Sequence, residues 1–181
     1  MIESFIIKNY RSYRDVTELS FLASKKEGGK TKDLPPVWYK EINGKRILRL
    51  LLCVGLNGTG KSKMFSALNY LRMIATAKPQ KPSDKPEYRP FLLDNFSSTK
   101  PTELALTYYI GEECFNYSIK ISSHCIEEEE LKLIQSRSSR IFYRYHNKES
   151  DKVIINYGNV CDFVIQNKRN NRIQLVSIMD P

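Results

Sequence analysis

The spacing of apolar and polar positions changes several times along the chain, and each change marks an element. Residues 2–8, with Phe5, Ile6 and Ile7, read as a strand. A polar, aromatic turn over residues 9–15 follows, and residues 19–22 read as the return strand. Residues 24–33 carry Gly28, Gly29 and several lysines and predict a loop. Pro35 and Pro36 continue it, and Trp38 and Tyr39 are expected to pack it against the body. Residues 47–54 form an apolar run that predicts a strand buried on both faces. Met64, Leu68, Leu71 and Ala75 then fall at helical spacing, predicting a helix from Lys61 to near Ala77. Residues 78–90 hold Pro79, Pro82, Pro86 and Pro90 among charges, which excludes a helix or central strand and predicts a flexible excursion.

Beyond the prolines the period becomes 2. Leu104, Leu106, Tyr108 and Ile110 alternate with Glu103, Ala105 and Thr107. Phe115, Tyr117, Ile119 and Ile121 answer them across a turn at Gly111, Glu112 and Glu113, which predicts a hairpin. Residues 131–134, 141–145 and 153–157 are further strands, expected as an antiparallel meander packed on one side. Residues 162–181 read as either a short helix or a strand. No internal repeat is present.

Composition narrows the partners. The chain has 181 residues and a net charge of +9, which fits one domain, or one domain with a lobe attached. The basic balance suits nucleic acid or another polyanion, and equally a lysine-rich solvated surface. Cys53, Cys114, Cys125 and Cys161 form no C-x-x-C pair, so zinc is not expected and free thiols in a reducing compartment are. Met1-Ile2-Glu3-Ser4 lacks the basic region and apolar core of a secretory signal. No segment is long and apolar enough to span a bilayer. The expected location is cytoplasmic.

The candidate chemistry lies between the apolar run and the helix. Gly55, Gly60, Lys61 and Ser62 fit G-x-x-x-x-G-K-[ST], the Walker A phosphate-binding pattern. Glycines let the backbone turn tightly and approach a phosphate. Successive N–H groups across Gly58, Thr59, Gly60, Lys61 and Ser62 then face one concavity, and the helix adds its N-terminal partial charge. Lys61 is expected to reach the terminal phosphates and the Ser62 hydroxyl to ligate Mg²⁺. Asn57 and Lys63 flank these groups and complete the nucleotide-binding set.

With the loop and its flanks placed, the chain resembles the ATP-binding heads of the SMC/RecF-like branch of ABC ATPases. Asn57-Gly58 within the loop matches that branch's G-x-N-G-x-G-K-S form. Residues 7–15, Ile-Lys-Asn-Tyr-Arg-Ser-Tyr-Arg-Asp, resemble its opening strand and N-[FY]-[RK]-S-[FY] segment. Pro101-Thr102-Glu103-Leu104, the hairpin and Glu130-Leu131 resemble the antiparallel lobe of stand-alone prokaryotic members, among them OLD-like and anti-phage defence ATPases. The resemblance implies an α/β fold, the N-terminal lobe of a P-loop NTPase head of ABC/SMC type. A mixed sheet would surround the P-loop helix, beside an antiparallel β meander. Residues 1–77 would be the core lobe, 78–100 the proline-rich excursion, and 101–181 the antiparallel lobe leading to a missing C-terminal half. It further implies ATP with Mg²⁺ as cofactors, Arg11 reaching the phosphates, and a homodimer or higher oligomer formed through the ATP site. Action on DNA, a partner nuclease or effector, and no membrane complete the picture. A glutamine loop, a signature serine motif, an Asp-Glu strand and a switch histidine are not found. Residues 175–181 imitate a Walker B strand, but Ser177 interrupts it and no acidic residue follows Asp180.

Other clusters were weighed beside this one. Glu127-Glu128-Glu129-Glu130 is expected to be a solvated acidic turn rather than a metal cluster. His124 and His146 have no nucleophile assigned to them. Tyr143, Arg144, Tyr145 and Lys148 interleave aromatics with cations, as nucleic-acid surfaces do, and equally fit an amphipathic strand. Lys168-Arg169-Asn170-Asn171-Arg172 is a basic turn. Neither Asn147-Lys148-Glu149-Ser150 nor Asn167-Lys168-Arg169-Asn170 supplies the aspartate of the guanine motif N-K-x-D.

Overall fold

A computed structural model of the chain describes residues 1–23, 35–76 and 85–158. Its frame is a seven-stranded sheet in the order β2-β1-β5-β6-β7-β8-β9. The strands are β1 (Ile2–Lys8), β2 (Thr17–Ser20), β5 (Thr102–Ile110), β6 (Glu113–Ile121), β7 (Ile126–Ile134), β8 (Ser138–Asn147) and β9 (Lys152–Tyr157). β3 (Tyr39–Ile42) and β4 (Lys45–Leu48) make a separate hairpin, and α1 (Lys61–Thr76) is the α-helix of the described residues. The sheet draws strands from both sides of the proline-rich segment, because β1 pairs with β5.

Register explains the core. Opposed residues on β1, β5, β6 and β7 share a face, and with period 2 this brings Phe5, Ile7, Leu104, Leu106, Tyr117, Ile119 and Leu131 together. All are buried, and Ala67, Tyr70 and Leu71 of α1 join them in one cluster. The helix thus covers the β1 side of this face. Val153, Ile155 and Tyr157 on β9 remain exposed. A second cluster forms on the opposite face, where Ile42 and Ile47 of the β3–β4 hairpin meet Tyr109 and Cys114. Beside it Glu3 accepts from Lys45 Nζ at 3.0 Å and from the Tyr109 hydroxyl at 2.6 Å.

The expected α/β architecture is overturned. Every strand pairing among the described residues is antiparallel, and one helix on one face does not make a mixed sheet wrapped by helices. The fold is β-rich. The apolar run at 47–54 is where the expectation went astray. Its first residues belong to β4, held against β3 by a two-residue turn with Asn43 at φ 51° and Gly44 at φ 73°. Such an Asn-Gly turn sets the hairpin twist locally, and β4 stops at Leu48. Leu50, Leu52, Val54 and Leu56 then lie 62–81% exposed, outside any strand of the described residues.

The acidic run is also displaced from its expected turn. Glu127, Glu128, Glu129 and Glu130 lie within β7. Glu128 pairs with Lys120 at 2.9 Å, and Glu130 with Lys132 and Arg140, each at 2.7 Å. Glu129 is buried, accepting from Tyr117 and pairing with Arg144, again at 2.7 Å. Burial raises the Glu130 carboxyl, but its hydrogen bonds from Lys132 and Arg140 outweigh that and hold it below the usual range. A strand can carry four carboxylates because its neighbours place cations opposite them. The return strand runs over Thr17–Ser20, slightly earlier than expected, and Leu22 makes an isolated bridge to Ile47. The loop expected at 24–33 and the helix or strand expected within 162–181, with its basic turn and Walker B imitation, lie outside the described residues.

Candidate phosphate-binding cleft

Residues 9–13 build one wall of the site by changing backbone hand twice. Asn9 and Arg11 sit at φ 51° and 49°, a conformation asparagine tolerates better than most residues. The turn closes through Tyr10 and Tyr13, whose backbone groups exchange hydrogen bonds of 2.8 and 2.9 Å. Tyr10 points into the core and stacks on Tyr70 of α1 with ring centroids 5.9 Å apart. Tyr13 reaches the other way and donates to the Gly60 carbonyl at 3.1 Å. Burial, and then Cys53 nearby, raises its phenol above the ordinary value.

Asn9 anchors a second wall. Its Nδ2 donates to the carbonyls of Ser97, Lys100 and Pro101 at 2.8, 2.7 and 3.2 Å. Its Oδ1 accepts from the Phe91 N–H at 3.0 Å, and the Arg11 N–H donates to the Arg89 carbonyl at 3.0 Å. The Thr102 hydroxyl donates to the Asn9 carbonyl at 2.6 Å. Residues 85–101 are therefore a strap tied along the end of β1, in place of the loose excursion expected there; residues 77–84 lie outside the described residues. Asp94 fastens its far end by accepting from the Phe96 and Ser97 N–H groups at 3.0 and 2.6 Å. These bonds, the Ser97 N–H first, lower its carboxyl.

The floor is the glycine-rich loop. Gly60 at φ 91° makes the last turn into α1, a backbone state open to glycine and strained for other residues. Its carbonyl accepts from the Lys63 and Met64 N–H groups at 2.8 and 3.1 Å. The Thr59 hydroxyl donates to Leu56 O at 2.8 Å. Lys61 Nζ folds back over the loop, donating to Gly55 O at 2.7 Å and Leu56 O at 2.6 Å and approaching Thr59 Oγ1 at 3.3 Å. Among the described residues the N–H groups of Asn57, Gly58, Gly60, Lys61 and Ser62 have no acceptor, and the Ser62 hydroxyl has no hydrogen bond. Unpaired amides at the start of a sixteen-residue helix are a site for an anion.

Between these walls lies an open cleft of about 970 Å³, lined by Arg11, Ser12, Gly58, Thr59 and Lys63 on one side and by residues 88–93 and Ser98 on the other. Four of the residues singled out in the sequence, Arg11, Gly58, Thr59 and Lys63, thus share one cavity. Asn57, Gly60, Lys61 and Ser62 border it within the same loop. Arg11 lies over the Tyr10 ring at 5.6 Å, and its Nε is buried without a partner among the described residues. A phosphate tail fits this donor set. For Mg²⁺ the loop offers the Ser62 hydroxyl; among the described residues no group of three His, Cys, Asp or Glu side chains converges. Such a magnesium ion, held largely by phosphate oxygens and water, would neutralise charge on the ligand's phosphates.

Pattern reading missed Asn9, Tyr13 and Tyr88, which hold the cleft without lining its phosphate end. Tyr88 donates to the carbonyls of Ser98 and Lys100 and so braces the strap. The rival clusters are structural by comparison. His146 pairs with Asp151 at 2.9 Å. Tyr143 and Tyr145 stack at 5.4 Å, with the Arg140 guanidinium 4.8 Å over Tyr143, while Arg144 faces the opposite side to meet Glu129. Cys53, Cys114 and Cys125 are free thiols. No helix among the described residues is long and apolar enough to cross a membrane. No family model matches the chain, and no curated protein matches it.

Proposed function

We propose that the chain binds ATP with Mg²⁺ through residues 57–63 and Arg11. In this reading it is the ATP-binding lobe of an SMC/RecF-like ATPase serving DNA transactions or anti-phage defence. The observation that carries the reading is the set of unpaired amides at Asn57, Gly58, Gly60, Lys61 and Ser62, with the Lys61 amine folded over the loop and Arg11 lining the adjoining cleft. Free N–H donors at a helix start, beside a cleft lined by Arg11, Lys63 and Arg89, suit a polyphosphate better than any neutral ligand. The reading rests on the loop and the N-terminal turn, and takes nothing from the sheet.

The residues divide the work. Lys61 exchanges its bonds to Gly55 O and Leu56 O for phosphate oxygens. Arg11 and Lys63 hold the tail from the side opposite the strap, and the free amides of Gly58, Gly60, Lys61 and Ser62 fix its orientation. ATP bound this way would bring a second protomer against the cleft, and hydrolysis in the complete protein would release it. The lining of the cleft favours a second reading as well. Its side chains are cationic, neutral or apolar, which suits holding a nucleotide better than activating water. In that reading the bound nucleotide is an assembly signal that recruits an effector such as a nuclease, without turnover.

Titration of the full chain with Mg·ATP tests the first step. Binding that Lys61→Ala abolishes supports the reading; no binding, or equal binding by the variant, defeats it. Single-turnover hydrolysis by the complete protein, with and without DNA, then separates the ATPase from the assembly module.

A further inference from the structure

The strap carries an apolar surface that folding of the chain leaves unused. Leu92 and Leu93 are 72% and 87% exposed, yet the backbone that presents them is fastened on both sides. The Arg89 carbonyl and the Phe91 N–H are bonded to the β1 turn, and Asp94 caps the residues beyond. Exposure here is not the result of a loose end. Both leucines and the half-buried Phe91 line the same cleft as Gly58, Thr59 and Lys63. One cavity therefore holds the cations Arg11, Lys63 and Arg89 together with the apolar Phe91, Leu92 and Leu93. A ligand that satisfies both is charged at one end and flat and apolar at the other.

We propose that residues 91–93 form the nucleoside side of the cleft, with the base and ribose of a nucleoside triphosphate packed on Phe91, Leu92 and Leu93. This rests on the reading of 57–62 as a phosphate cradle, and adds where the rest of the nucleotide lies. The strap is held to the N-terminal turn by the Arg11 N–H, which donates to Arg89 O, while the Arg11 side chain lines the cleft. A wall of this kind recognises a ring by buried area and not by hydrogen-bond pattern. It favours purines over pyrimidines and separates ATP from GTP weakly.

The test compares Mg·ATP with inorganic tripolyphosphate, using the full chain and the double variant Leu92→Ser/Leu93→Ser. Both leucines are exposed, so the variant keeps the fold. The expected result is ATP binding roughly tenfold tighter than tripolyphosphate in the natural chain. The variant should lose that advantage and bind tripolyphosphate unchanged. Equal affinity for the two ligands in the natural chain would overturn the nucleoside site and leave the phosphate cradle intact. So would a variant with undiminished ATP affinity, or one whose only change is in sedimentation, which would assign the leucines to a second copy of the chain. Failure of both ligands to bind, with Lys61→Ala without effect, would remove the cradle and the nucleoside site together.

Discussion

The Tyr13 hydroxyl donates to the Gly60 carbonyl across 3.1 Å, a bond between the first turn of the chain and the last glycine of the glycine-rich loop. It makes the two most informative stretches of the sequence one object. The same carbonyl also accepts the Lys63 and Met64 N–H groups, so Tyr13 is an added tie on a group that the helix already satisfies.

That redundancy sets the size of the Tyr13→Phe effect. Removing the hydroxyl strands no acceptor, so the loss should be about 0.5–1 kcal/mol in chemical denaturation. Gly60→Ala should cost more, roughly 1–3 kcal/mol, because it forces a Cβ onto a residue at φ 91° and sets it 3.4–3.5 Å from Tyr13 and Ser12. If the two variants destabilise equally, the loop is not held in the observed turn.

Asn9 is tested by what replaces it. It is 3% exposed, and its Nδ2 faces three carbonyls while Oδ1 takes one N–H. Asn9→Ala strips the Phe91 N–H and the Pro101 carbonyl of their partner and weakens the hold on Ser97 O and Lys100 O, at a cost of about 1–3 kcal/mol. Asn9→Asp keeps the acceptor for Phe91 but sets a carboxylate against those carbonyls, and should be at least as damaging at neutral pH. Thermal unfolding of both variants decides this; a stable aspartate variant would mean that the strap is not anchored through Nδ2.

Buried Glu129 and its partly exposed partner Arg144 invite a double-mutant cycle. Glu129→Leu should destabilise by about 3–5 kcal/mol, because it leaves Arg144 and the Tyr117 hydroxyl facing an apolar side chain. Adding Arg144→Leu should recover most of that loss, since two apolar residues there extend the face that already holds Leu131 and Phe142. Additive losses in urea denaturation would show that the two side chains do not act as a pair.

Pattern reading succeeded where structure is local. The two-residue connection between β5 and β6 and the helix at 61–76 follow from alternation, turn residues and spacing close to 3.6. It failed where one local signal outweighed another. Asn43-Gly44 carried the hairpin that ends β4, but the apolar residues after it suggested a longer buried strand. It failed again where partners are remote. Four glutamates in a row suggest a solvated turn until register places Lys120, Arg140 and Arg144 of the neighbouring strands beside them. The glycine-rich loop was legible because its pattern lies within eight consecutive residues. Its support was not, because the Asn9 side chain bonds carbonyls 88 to 92 positions away.

Two half-buried phenols give the molecule an alkaline limit. Burial pushes Tyr70 up to about 12, with Tyr10 beside it adding to the shift, and burial alone takes Tyr108 to about 12. Both lie above the value near 10 of an unfolded tyrosine. A group whose folded value is raised contributes stability fully below the unfolded value, and loses it as pH climbs to the folded one. Stability should therefore decline between about pH 10 and 12, where the unfolded chain releases these protons first. Tyr70→Phe removes one phenol and, with it, the hydrogen bond to Glu87 O that holds the strap to α1. It should lower stability at neutral pH yet flatten the alkaline decline. A variant whose denaturation midpoint keeps the natural slope across that window would show that Tyr70 is not a buried, protonated partner of the strap.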